Sequence, residues 1–89
     1  MQLKRKDRLY YARIIPKTKI YEVCEVIVRT VRNTWFTAID KRDKRVYFFN
    51  YKSVGHVVFF DRNIALSKVL ETEKRDDSAV RSEIYYEEY

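Results

Sequence analysis

The chain has 89 residues, 46% hydrophobic and 16% aromatic, with a formal net charge of +6. At that length it forms one domain, because a second core could not bury enough apolar surface to offset the entropy of ordering its own backbone. The aromatic content sets it apart from disordered polar chains, one Cys excludes an intramolecular disulfide, and no apolar run approaches the roughly 18 to 20 residues of a bilayer span or the core of a signal peptide.

In chain order, Leu9 to Ile15 (LYYARII) mixes aromatic and β-branched residues and stops at Pro16, which predicts strand one. Ile20 to Val31 (IYEVCEVIVRTV) is a long second strand with Cys24, Val26 and Val28 on one face and Glu25 and Arg29 on the other. Arg32 and Asn33 turn into Thr34 to Asp40, where Trp35, Thr37 and Ile39 alternate with Phe36, Ala38 and Asp40, so strands two and three form a hairpin. The polar run Lys41 to Arg45 leads to Val46 to Asn50, and Gly55 opens Val57 to Phe60, giving strands four and five. Asp61 is placed to cap a helix from about Arg62 to Arg75, in which Ile64, Ala65, Val69 and Leu70 recur near helical spacing and Lys74 and Arg75 suit the C-terminal end of the dipole.

Five short strands and one helix are too few for a sandwich. The expected fold is mainly β with one C-terminal helix, α+β in class: a small five-stranded SH3-like barrel or coiled antiparallel sheet whose open end the helix plugs. An open sheet with the helix on one face would bury the same residues. An acidic, tyrosine-rich tail from Asp76 to Tyr89 lacks a sustained helical face and is read as a flexible appendage to a body of residues 1–75. The two parts differ in sign: 18 Lys and Arg stand against 8 Asp and Glu up to Arg75 (+10), and one Arg against five acids beyond it (−4).

Catalytic chemistry finds little to build on. His56 is the sole histidine and reads as a strand-end residue. Cys24 lies mid-strand beside Glu25, which would raise rather than depress its pKa. Asp40 and Asp43 share a loop with four cations that would repel a metal, and turn-making and capping explain them and Asp61. With one glycine there is neither a phosphate loop nor a nucleophile elbow. The expectation is a non-enzymatic binding protein with no cofactor and no metal.

The basic residues are the positive signal. They fall in three blocks: Lys4, Arg5, Lys6 and Arg8; Arg29 and Arg32; and Lys41, Arg42, Lys44, Arg45 and Lys52. Combined with Trp35, Tyr47 and Tyr51, the second and third blocks form the candidate surface for nucleic acid or a nucleoprotein partner, the cations attracting phosphates and exposed rings stacking on bases. The plainer alternative is that Lys and Arg keep an aromatic-rich domain soluble, with half-buried tyrosines packed across strands. In the tail, Ile84, Tyr85, Tyr86 and Tyr89 are candidates for docking into a partner groove.

The stretch Ser53 to Glu71, SVGHVVFFDRNIALSKVLE, resembles a C-terminal strand, cap and helix module of small uncharacterised proteins from phages and conjugative elements of Gram-positive bacteria, through Gly55, Val58, Phe59, Asp61, Ala65 and Leu70. It departs from that pattern at Asp61, where Thr is usual, and at Asn63 and Ile64, where acids are. The resemblance implies a phage or mobile-element accessory protein in the cytoplasm of a bacterial host. Two functions then compete: a nucleic-acid-associated module, and an anti-defence inhibitor of the anti-CRISPR or anti-restriction type that binds a host nuclease complex. An exposed strand edge leaves both monomer and homodimer open.

Overall fold

The computed structural model describes the backbone of residues 3–87 and the side chains of residues 3–77. Five antiparallel strands, β1 (Arg8–Ile15), β2 (Ile20–Val31), β3 (Trp35–Asp40), β4 (Val46–Asn50) and β5 (Val58–Phe59), precede one helix, α1 (Arg62–Glu87). The sheet order is β4-β3-β2-β1-β5. Short 3-10 turns at Pro16–Thr18 and Tyr51–Ser53 join β1 to β2 and leave β4.

The sheet curls into a half-barrel. Tyr11 on β1 meets Tyr47 and Phe49 on β4 with ring centroids 5.0 Å apart in both pairs, although β2 and β3 lie between those strands in the sheet. Only a tightly coiled sheet brings such positions together on its inner face. That face carries Leu9, Cys24, Val26, Val28, Phe36, Ala38, Phe49 and Val58, all buried, with Leu3 covering them from the N-terminal segment. The expected set Cys24, Val26 and Val28 therefore points inward.

The helix does not plug the open end. It lies on the outer face, where Ala65 and Val69 pack with Ala12 and Phe59 over Tyr10, Ile14, Tyr21 and Val23. The outward residues of β1 and of the first half of β2 are apolar there, and Ala12 leaves room for the helix to approach; an outer face that must be buried claims the helix before the barrel mouth does. Asp61 caps α1 as expected, its Oδ1 accepting from the amides of Asn63 at 2.7 Å and Ile64 at 3.4 Å. The helix continues past Arg75 to Glu87. No Gly or Pro follows Arg75 to break it, and the Tyr21 hydroxyl donates to Asp76 Oδ2 at 2.7 Å, fastening the turn beyond Arg75 to the start of β2. The side chains of Ile84, Tyr85, Tyr86 and Tyr89 lie outside the described residues.

Among the described residues no helix is long and apolar enough to cross a membrane.

Candidate nucleic-acid interface

Alternation along the strands sorts every side chain of β2, β3 and β4 onto one of two faces. The helix covers the outer face only over β1, β5 and the first half of β2. Among the described residues nothing covers the remainder, where Ile27 pairs with Ile39, Ile39 with Val46, and Thr37 with Phe48. Phe48 is 65% exposed and Val46 49% exposed. Trp35 and Phe48 stack with centroids 4.6 Å apart and an interplanar angle of 25°, and the Arg32 guanidinium lies 5.9 Å from the Trp35 ring, within cation–π range. The result is an aromatic shelf on solvent.

Next to the shelf is a shallow hollow lined by Ile27, Val28 and Ile39 together with Arg5, Lys6, Arg29, Lys41 and Lys44. Three local devices bring these cations to one place. A β-bulge between Val28 and Thr30 leaves Arg29 as an extra residue on β2. The N-terminal segment docks beside the bulge, with the Lys6 amide donating to Val28 O and the Val28 amide to Asp7 O, both at 2.8 Å. The β3–β4 loop is tied by Asp40, whose Oδ1 accepts from the amides of Arg42 at 2.7 Å and Asp43 at 3.4 Å. Lys6 and Lys44 both adopt left-handed backbone, at φ 80° and 62°, a conformation that lysine holds only where surrounding structure imposes it. Arg5, Lys6, Arg29, Arg32 and Lys44 make no ion pair among the described residues. Glu25, which bridges Arg8 at 3.5 Å and Lys41 at 3.2 Å, bounds the patch on one side.

The sequence-derived site therefore divides. Arg29, Arg32, Trp35, Lys41 and Lys44 belong to the outer patch. Tyr47 does not: it faces inward against Tyr11. Arg42 reaches the other way as well, to Glu22 Oε2 at 3.8 Å. Tyr51 packs on Phe36 and its hydroxyl donates to Arg32 O at 2.8 Å, so it braces the β2–β3 turn. Arg45 and Lys52 are exposed, and neither lines the hollow. Periodicity shows that neighbours alternate faces but not which face closes on itself; the curl decides that. Phe48 was missed because Phe49 beside it is equally apolar, and Ile27, Ile39 and Val46 because they read as core. Arg5 and Lys6, recognised as basic but left out of the site, are carried to it by the backbone bonds at the bulge.

The inner open end holds polar groups. Arg13 Nη1 donates to Glu22 Oε1 at 3.0 Å, and the buried Cys24 thiol donates to the same oxygen at 3.6 Å. Burial, followed by the charges of Glu22 and Asp40, pushes the thiol up to about 12. Such a thiol is protonated and unreactive near neutrality. Asp40, only 2% exposed, makes its hydrogen bonds through one oxygen, and the other has no partner among the described residues. His56 is exposed in the turn before β5 and contacts neither Cys24 nor an acid in the described bonds. No group of three or more His, Cys, Asp or Glu side chains that could hold a metal occurs among the described residues.

No protein-family model, no curated protein and no solved structure matches the chain.

Proposed function

We propose that this chain is a binding module that contacts nucleic acid through the uncovered outer face of β2, β3 and β4. The observation that carries the reading is the coincidence on one face of a stacked Trp35–Phe48 pair, held under Arg32, with a hollow whose apolar floor of Ile27 and Ile39 is rimmed by Arg5, Lys6, Arg29, Lys41 and Lys44. Cations without acidic partners attract phosphates by releasing counterions. Apolar and aromatic surface among them gives sugars and bases something to lie on. Cations that served only solubility would be spread among acids; here five cations meet at one hollow, and the acids beside it are engaged, Glu25 with Arg8 and Lys41, Asp7 with the Lys4 amide and Asp43 with the Arg45 amide.

The test is fluorescence anisotropy of labelled DNA and RNA oligonucleotides with the full chain across a series of salt concentrations. The expected result is binding whose logarithm falls linearly with the logarithm of salt. Absence of binding at low salt overturns the reading and directs the search to protein partners, host nuclease complexes first among them.

A further inference from the structure

Resting on that reading, we infer that the patch selects unpaired nucleic acid over duplex, and that the Phe48 ring is the platform on which a base stacks. The first argument is the ring itself. Trp35 occupies one side of Phe48, yet the side chain remains 65% exposed at the rim of the sheet. It is not a lone exposed side chain but continues an apolar surface through Val46, 49% exposed, to Ile39 and Ile27, and contiguous apolar patches mark interaction sites. The natural complement of the ring is a flat π-face. Bases within a duplex have theirs covered by neighbours, and uncovering one breaks stacking and pairing, whereas an unpaired base offers its face at little cost.

The second argument is shape. The patch lies on the outside of a coiled sheet, whose tightness is measured by the Tyr11–Tyr47 contact across two intervening strands. Arg32 stands before the first residue of β3 and Lys41 and Lys44 follow its last, Asp40, so the two groups of cations are separated by roughly 17 to 20 Å of strand at about 3.3 Å per residue. The curl runs across the strands, so a stiff duplex laid along β3 keeps only a narrow line of contact, and its paired bases cannot turn out to meet the shelf. A flexible single strand bends over the surface and reaches both groups of cations and the shelf. Its footprint is on the order of four nucleotides, at the low end for small single-strand-binding barrels.

The third argument is that no groove reader stands out among the described residues. Sequence recognition in the major groove requires a helix or ribbon that enters it. Here α1, over the part whose side chains are described, lies on the adjoining half of the same face, Ala65 and Val69 packed down on Tyr10, Ile14, Tyr21 and Val23, and the β3–β4 loop is held back to the body through Asp40.

The experiment compares the full chain's affinity for a labelled oligothymidine of about a dozen nucleotides, long enough for one footprint and its flanks, with that for a duplex of the same length at the same salt. The single strand is expected to bind about tenfold tighter or more and to quench Trp35 emission. Phe48→Ala is expected to weaken single-strand binding roughly tenfold, and Phe48→Tyr, which keeps the ring, to preserve it. Equal affinity for both forms, or unchanged single-strand binding by Phe48→Ala, overturns this inference while leaving the phosphate-binding reading in place. Failure of both forms to bind at low salt overturns the two together.

Discussion

Lys44 closes the β3–β4 loop at φ 62°, with its amide donating to Asp40 O at 3.0 Å. A residue bearing a Cβ gives up about 1 kcal/mol or more in that region, which glycine does not. Glycine in turn loses about 0.4 to 1 kcal/mol through the larger freedom of its unfolded chain. The two terms offset, so Lys44→Gly leaves stability within about 1 kcal/mol, a shift in melting temperature of no more than roughly 4 to 8 °C for a domain of this size. The charge, however, is gone. If the five patch cations that make no ion pair among the described residues, Arg5, Lys6, Arg29, Arg32 and Lys44, each contact a phosphate of a single strand, the slope of log K against log salt is about −3.5, and Lys44→Gly brings it to about −2.8. Thermal unfolding and a salt series of anisotropy titrations measure the two effects separately. An unchanged slope would remove Lys44 from the interface, and a loss of stability well beyond 1 kcal/mol would show that the lysine, not the loop geometry, holds the hairpin.

Three further predictions concern the rest of the molecule. The Cys24 thiol, raised from its ordinary 9.0 to about 12 by burial and by Glu22 and Asp40, resists alkylation at pH 8 in the native protein and becomes reactive only as urea unfolds the chain; rapid native labelling would contradict its burial. Because the folded pKa lies above the unfolded one, the stabilisation from the protonated thiol is complete below about pH 9 and is lost as pH rises from there towards 12. The urea midpoint should fall across that window more steeply for the natural protein than for Cys24→Ala. Replacing Tyr21 with Phe removes the 2.7 Å bond to Asp76; hydrogen exchange should speed up in α1 around Asp76 while amides of β2 and β3 stay protected, and unaltered exchange would mean that this contact does not fasten the helix.

Much of this architecture is written in local pattern. The strand limits of β2 and β4, the cap at Asp61 and the helix start at Arg62 follow from alternation, β-branching and capping chemistry, all properties of near neighbours. The site was half legible for the same reason. Arg29, Arg32, Trp35, Lys41 and Lys44 declare themselves by type, but Tyr47 and Phe48 are both aromatic, and only the curl of the sheet sends one to the core and the other to solvent. The place of α1 was likewise a tertiary matter: its stripe fits a barrel mouth as readily as a sheet face, and the choice rests on which surface still needs covering. Beyond Arg75, the acids and tyrosines read as a tail, whereas the bond from Tyr21 to Asp76 spans 55 positions in sequence and leaves no local signature.

The bulge at Arg29 has a consequence for how this chain can vary. Val28 points inward and Val31 packs against the same core, an odd spacing that an unbroken strand would not allow. Removing residue 29 would restore strict alternation from Val26 through Val31 and leave every inward neighbour in place. Arg29 is thus supernumerary to the packing, a position the fold carries without using. Its identity is free to drift with whatever the outer surface must meet, and exchanging it would retune that surface with no repair needed in the core.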